Sequence, residues 1–99
     1  MSYCILYSPA AEGHLRALSA RQRATILGAI EQQLGHQPTV ETRNRKALRP
    51  NPLAPWVLRV GNLRVYYDVE DVPERVVFVR AVGVKQRHRV MFGGEEFEL

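Results

Sequence analysis

Arginine and lysine are the side chains of this sequence with the most evident chemical use. Four of them lie within residues 43–49, Arg59 and Arg64 stand on either side of a Gly-Asn pair, and a further cluster occupies residues 85–89. A guanidinium presents a planar fork of N–H donors that matches phosphate oxygens, and several cations together can bind a phosphodiester or stabilise its charged transition state. The pattern therefore favours a partner that contains phosphate.

The basic excess is concentrated in one part of the chain. The whole sequence carries 14 Lys and Arg against 10 Asp and Glu, a net charge of +4, whereas residues 43–89 hold eleven of those cations and four acids, a net charge of +7. Such a surface attracts anions, and a solvated surface without any partner is the alternative explanation. Near the C terminus, Glu95, Glu96 and Glu98 can either fold over a basic surface or keep an edge strand soluble.

Cleavage of RNA is a reaction that such residues can perform without a metal ion. The ribose 2′-hydroxyl is the nucleophile, so the protein must take up its proton, stabilise the phosphate oxygens and protonate the leaving oxygen. His88 is the imidazole within the cluster at 85–89, and a neutral imidazole accepts protons readily; an exposed loop histidine without a catalytic role is the alternative. Tyr66 or Tyr67 could stack on bases or donate a proton, and strand alternation sends the other one into the core.

Other kinds of site are excluded by the residue inventory. Cys4 is the one cysteine, His14 and His36 are far from His88 in sequence, and no metalloprotease motif or phosphate-binding glycine loop is present. We therefore predict neither a metal nor another cofactor. Cys4 alternates with large apolar neighbours, which predicts a buried, unreactive thiol.

Periodicity and capping residues predict the elements that must position these side chains. Residues 3–7 form an apolar and aromatic run that predicts a buried first strand, after which Ser8 and Pro9 are suited to begin a short helix. Ser19 and Gln22 have the spacing of a capping box, and the second helix should end at Gly35. Two helices in succession predict a helical hairpin.

The second half of the chain predicts strands. Residues 36–55 contain four prolines and no periodicity, which predicts a long loop, and loops of this length are often functional. Runs rich in β-formers at 56–60, 63–69 and 75–82 predict an antiparallel meander, and residues 90–99 predict a small terminal hairpin around Gly93-Gly94. Trp56, which opens the first of these strands, is expected in the core or in a lid.

The order of these elements predicts an α+β fold of one domain, residues 1–99. An N-terminal strand, a helical hairpin and an antiparallel meander place the helices on one face of a single sheet. The opposite face should stay open, with Arg59, Arg64 and Tyr66 pointing toward it, although the turn that sets the register leaves the relative facing of the two arginines undecided. No apolar run is long enough to span a bilayer and no signal peptide is evident, so we expect a cytoplasmic protein.

Three stretches resemble the RelE/ParE superfamily of toxins from type II toxin–antitoxin systems. They are RKALR at 45–49, WVLRVGNLRVYYDV at 56–69 and VFVRAVG at 77–83, and the resemblance extends over nearly the whole chain. It implies a RelE-like fold and a bacterial toxin that a small antitoxin wraps and neutralises. RelE-like members cleave mRNA in the ribosomal A site without a metal, whereas ParE-like members poison DNA gyrase.

The resemblance also implies roles for single residues. Arg64 matches the arginine that contacts the scissile phosphate, Arg59 matches the basic position on the preceding strand, and Lys85 or Arg87 fills the place of an arginine expected after Gly83. The tyrosine of RelE-like members, expected a few residues later, is absent, and His88 is the candidate to replace it as acid or base. Met91 and Phe92 occupy the neighbourhood of the expected tyrosine. Pro55 and Val57 stand where some members have lysines.

Together with the resemblance, these observations predict a toxin that cleaves mRNA on the ribosome and so inhibits translation and arrests growth. A gyrase inhibitor, or a catalytically degenerate relative that binds RNA or its antitoxin, is the alternative. The expected partners are an antitoxin, mRNA and the ribosome, or DNA gyrase in the alternative, and no membrane. The catalytic candidates are Arg59, Arg64, Lys85, Arg87 and His88, and the candidates for RNA binding are Arg43, Arg45, Lys46, Arg49, Arg89 and Tyr66.

Overall fold

The computed structural model describes residues 2–97, with backbone alone at 95–97, and this part of the chain contains two helices and seven strands. In chain order they are β1 Cys4–Tyr7, α1 Pro9–Ala17, α2 Ala20–Leu34, β2 Arg45–Ala47, β3 Trp56–Val60, β4 Leu63–Glu70, β5 Val76–Gln86, β6 Arg89–Phe92 and β7 Glu95–Phe97. The helices cover one face of a single sheet, which confirms the α+β class. None of the described helices has the length and apolar character needed to cross a membrane.

All strands belong to one mixed sheet. Strands β2 to β7 follow one another as antiparallel neighbours, and β1 pairs with β5 in parallel. Strand β4 lies along one side of β5, while the other side is shared by β1, opposite residues 76–79, and by β6, opposite residues 84–86. Between β1 and β6, a short length of β5 therefore has no strand on the side away from β4.

The helix boundaries follow the capping residues. The Ser8 hydroxyl accepts a hydrogen bond from the Ala11 N–H (3.0 Å), and Pro9 occupies the first helical position of α1. Ser19 and Gln22 form both bonds of the predicted capping box, each of 3.1 Å. Each pair satisfies N–H groups that the first turn of a helix leaves without partners.

The core lies between the helices and the sheet. Its helical side includes Leu15, Ile26, Ile30 and Leu34, which pack on buried side chains of β3, β4 and β5. Tyr67 is the tyrosine that enters this core, where its hydroxyl donates to the Pro38 carbonyl (2.6 Å). Neighbouring Trp56 stacks on it with ring centroids 6.2 Å apart, so the expectation of a core position for this tryptophan is met.

The prediction of a buried first strand and a buried thiol is wrong. Strand β1 pairs with β5 and with no other described strand, so it is an edge of the sheet. Ile5 and Tyr7 turn toward the helices, whereas Cys4 and Leu6 face the other way and are exposed, Leu6 by 46%. The run of apolar residues gave no information on which face of the strand the helices would cover.

The predicted loop at 36–55 contains two ordered features. Residues 45–47 form β2, which pairs with β3 and extends the sheet by one strand. Residues 48–55 fold over the helix-free face, where Leu48, Leu53 and Ala54 pack beside Val57 and Tyr66. The face that the sequence predicted to be open is thus covered along part of its length.

The last strands agree with the predicted hairpin as far as the structure describes them. Strand β5 runs to Gln86, four residues beyond the prediction, and β6 pairs with β7 around Gly93 and Gly94. Both glycines have positive φ angles, of 60° and 88°, which suits a tight turn. Residues 98 and 99, including Glu98 of the acidic tail, lie outside the described residues.

Candidate functional site

Arg59 and Arg64 lie side by side on the helix-free face of the sheet. The register of β3 and β4 sets the two residues directly opposite each other, and it sets Val57 opposite Tyr66 on the same face. The tight turn between the strands begins at Gly61, whose φ of 59° is the left-handed conformation that glycine adopts without strain. The relative facing that the sequence left open is therefore settled in favour of one shared face.

The two arginines have different surroundings. Arg64 is 8% exposed, and its Nη1 donates hydrogen bonds to the Gly61 carbonyl (2.8 Å) and the Leu63 carbonyl (2.9 Å). Burial and the nearby charge of Arg59 lower the pKa of Arg64, which as a guanidinium nevertheless stays protonated near neutral pH. Arg59 is exposed. The pair thus combines a fixed, partly desolvated cation with a solvent-exposed one.

Lys85 extends this basic group onto the next strand. Arg64 is opposite Gly83 in the register of β4 and β5, and Lys85 is two residues further along the same face. The Lys85 N–H donates to the Asn62 carbonyl (2.7 Å), which fixes this part of β5 beside the turn at Gly61. We refer to Arg59, Arg64 and Lys85 as the basic triplet.

Arg87 and His88 form the turn between β5 and β6, and both are exposed. This turn and the turn at Gly61 border the same end of the sheet, because Leu63 at the start of β4 is opposite Val84 near the end of β5. The structure thus brings the five catalytic candidates to one end of the sheet. Arg89 lies beyond the turn, on the side of β6 opposite to Val90 and thus to the helix-free face.

The basic residues of 43–49 do not form one surface. Lys46 is opposite Val57 and shares the face of the basic triplet, and Arg43 and Arg49 are exposed in the flanking loops. Arg45 is 7% exposed on the helical side, where its guanidinium donates to the Val40 carbonyl (2.9 Å) and to the Gln33 carbonyl (2.8 Å). Its predicted role in RNA binding is wrong, because its donors hold β2 against the end of α2.

Tyr66 faces the predicted direction but is not available for stacking on a base. It is 3% exposed, since the segment 48–55 and Phe92 cover it, and the Phe92 ring meets it edge-on at 5.5 Å. Burial raises the pKa of its phenol. The remaining tyrosines, Tyr3, Tyr7 and Tyr67, pack toward the helices.

Two features of the site escaped the sequence analysis. The Asn51 side chain organises the covering segment by donating to the Arg49 carbonyl (2.7 Å) and accepting from the Leu53 N–H (2.8 Å). At Gly83, a Cβ atom would lie 2.5 Å from Val90 Cγ1 and 2.8 Å from the Phe92 ring, so only glycine fits opposite Arg64. A glycine in the middle of a strand was the available signal for this close approach.

A cleft lies away from the basic triplet. It has a volume of about 430 Å³ and lies between the segment 48–55 and the ion pair of Arg80 with Asp68, whose nearest atoms are 3.4 Å apart. Among the side chains that the structure describes, those of residues 2–94, no group of three His, Cys, Asp or Glu has the geometry to hold a metal ion.

Comparison with known proteins identifies a shared fold. No family model and no curated protein matches this sequence. Among solved structures, a chain of the RelBE2 toxin–antitoxin complex from Mycobacterium tuberculosis superposes with a TM-score of 0.74, and the match covers 86% of this chain and 100% of that chain. The two sequences are 22% identical. The RelE-like fold that the sequence predicted is thereby confirmed.

Proposed function

We propose that this protein is the toxin of a type II toxin–antitoxin system and a metal-independent endoribonuclease that cuts mRNA on the ribosome and so inhibits translation. The observation that carries the proposal is the basic triplet, in which Arg64 is fixed by turn carbonyls beside Arg59 and Lys85. The fold shared with a chain of a toxin–antitoxin complex supports the assignment as a toxin.

The basic triplet suits a phosphate that gains negative charge during reaction. Two cations directly opposite each other on adjacent strands repel one another, and an anion bound between them removes that cost. The Arg64 fork is held in place before the substrate arrives, so little reorganisation is needed when charge develops on the phosphate oxygens. Arg59 and Lys85 then add charge from both sides.

The reaction needs a proton acceptor and a proton donor beside the basic triplet, which would form the phosphate cradle. The ribose 2′-oxygen attacks phosphorus while its proton passes to a base, the bond from phosphorus to the 5′-oxygen breaks, and that oxygen takes up a proton. The products are a 2′,3′-cyclic phosphate and a free 5′-hydroxyl. We assign the acid–base role to His88, which lies with Arg87 in the exposed turn at this end of the sheet.

The expected protein partner is a small antitoxin that covers the same face. An acidic segment would neutralise the basic triplet and occupy the place of RNA, because surfaces of opposite charge favour and orient association. In this proposal the protein acts in the cytoplasm, on mRNA bound to the ribosome.

Mapping of transcript 5′ ends after brief induction in cells tests the nuclease. Cuts within coding sequences are expected for the natural protein, and they should disappear in Arg64→Ala because the phosphate cradle is lost. Arg59→Ala provides a second test at an exposed position that does not support the turn. Arg21→Ala, an exposed arginine of α2, is the matched control and should cut normally. Cutting that persists in both Arg59→Ala and Arg64→Ala would refute the proposal.

Inhibition of DNA gyrase is the second candidate, and the positions of the tyrosines favour it. Tyr66 is buried, the other three tyrosines pack toward the helices, and Phe92 and Met91 stand near the place of the expected catalytic tyrosine. Growth arrest with intact transcripts and DNA-damage signalling would support this candidate. Normal growth would indicate a relative that only binds RNA or its antitoxin.

A further inference from the structure

His14 of α1 completes the sheet at the place where β5 lacks a neighbouring strand. On the side of β5 away from β4, pairing with β1 ends at Val79 and pairing with β6 starts at Val84, so the Val82 N–H between them has no strand to pair with on that side. The His14 Nδ1 accepts this N–H at 3.2 Å. Left without a partner away from water, such an amide would destabilise the fold.

The same imidazole begins a stack of three rings that ends beside Arg64. The His14 and Phe92 ring centroids are 5.3 Å apart, and Phe92 meets Tyr66 edge-on at 5.5 Å. Phe92 also lies against Gly83, the residue directly opposite Arg64 in the register. Tyr66 is two residues from Arg64 on the same face of β4. On its own strand, Arg64 is followed by Tyr66, a member of the stack, and on β5 it is opposite Gly83, which touches Phe92.

We propose that His14 is a positioning residue for the phosphate cradle at Arg64. Its hydrogen bond to the Val82 N–H fixes the backbone of β5 one residue before Gly83. Its ring contacts Phe92, which in turn lies against Gly83 and Tyr66. The residues around Arg64 on β4 and β5 are therefore held from the helical layer, through a residue that does not touch the phosphate. The inference rests on the proposed function to the extent that the ligand of the cradle is a phosphodiester.

Two substitutions separate the contributions of the hydrogen bond and the ring. His14→Asn keeps an acceptor near the position of Nδ1 and removes the ring, and His14→Phe keeps a ring and removes the acceptor. His36→Asn is the matched control, because His36 is exposed just after α2 and belongs to no part of the stack. Circular dichroism and thermal unfolding establish that each variant is folded.

The readout is the NMR signal of the Arg64 Nε–H group, assigned with Arg64→Lys, during titration with short single-stranded oligouridylate and, separately, inorganic phosphate. We expect the signal to shift in both His14 variants and the dissociation constant for the oligonucleotide to rise roughly tenfold, the size of effect typical of positions that act through their neighbours. The Nε–H signal of Arg45, bound to Val40 on the helical side, serves as an internal reference and should stay in place.

Folded His14 variants with an unshifted Arg64 signal and unchanged dissociation constants would overturn the inference. Should a His14 variant fail to fold, Phe92→Leu interrupts the stack at its next member and is subject to the same two criteria. Failure of the proposed nuclease looks different: the natural protein would then bind no oligonucleotide or would not cut it, while the Arg64 signal and the phosphate titration still report whether His14 positions the cradle.

Discussion

The chemistry of the site depends on single residues whose surroundings differ although their side chains are alike. Arg64 gives one nitrogen to the turn carbonyls of Gly61 and Leu63 and is almost fully buried, whereas Arg59 directly opposite it is exposed. Arg45 is equally buried, yet its donors are directed at α2 and the loop that follows it. The sequence shows three arginines, but only the strand register separates the pair proposed to bind phosphate from the structural Arg45.

Arg87 is a residue at which stability and activity should respond in opposite directions. Its φ of 59° lies in the left-handed region, which costs a residue with a side chain roughly 1 kcal/mol. We expect Arg87→Gly to raise the free energy of unfolding by about 0.5–1 kcal/mol, measured by urea denaturation, and to weaken RNA cleavage because a cation is lost.

The neighbouring Gln86 provides the control for Arg87. It belongs to β5 and has an ordinary extended conformation, so Gln86→Gly should lower the free energy of unfolding. Equal loss of stability in both glycine variants would show that the left-handed conformation at Arg87 carries no strain.

At the scale of elements, the segment 48–55 and strand β6 decide how much of the helix-free face is available. The segment covers Tyr66 from one side, Phe92 of β6 covers it from the other, and the basic triplet remains at the uncovered end. The helices and the meander were predictable, because capping pairs such as Ser19 with Gln22 and alternating strands act locally. The cover was not predictable, because the bonds of Asn51 connect residues without any periodicity.

Asn51→Ala should loosen this cover and expose Tyr66. Loss of the side-chain bonds to Arg49, Leu53 and Ala54 should lower the free energy of unfolding by about 1–2 kcal/mol. Because burial raises the pKa of Tyr66, its exposure should bring that pKa down toward the ordinary value of 10.0. Absorbance of the phenolate against pH, as the difference from a Tyr66→Phe background, measures the change.

Asn44→Ala is the control for the cover. Asn44 is exposed before β2 and contributes its backbone, rather than its side chain, to the hydrogen bonds of that region. The titration of Tyr66 should be unchanged in this variant. A Tyr66 pKa that stays raised in Asn51→Ala would show that Phe92 alone buries the phenol.

For the molecule as a whole, the buried tyrosines make folding sensitive to alkaline pH. Burial raises the pKa of Tyr67 well above the ordinary value of 10.0, and its hydroxyl donates to the Pro38 carbonyl. The unfolded chain ionises first, so the stability is fully present below about pH 10 and is lost as the pH rises from there toward the folded-state pKa. Urea denaturation across this range should show a steeper decline for the natural protein than for Tyr67→Phe, which starts from a lower stability. Parallel declines would place the alkaline sensitivity elsewhere.

The charge of the whole molecule predicts how salt should act on RNA binding. The basic triplet contributes three cations, and each phosphate that is neutralised on a single strand contributes about −0.7 to the slope of log affinity against log salt concentration. We therefore expect a slope near −2 for a short single-stranded RNA, and a slope smaller by about 0.7 after Lys85→Ala. Arg21→Ala on α2 should leave the slope unchanged although it removes the same charge from the molecule. If both substitutions reduced the slope equally, RNA would be attracted by net charge alone, and the basic triplet would not be its binding site.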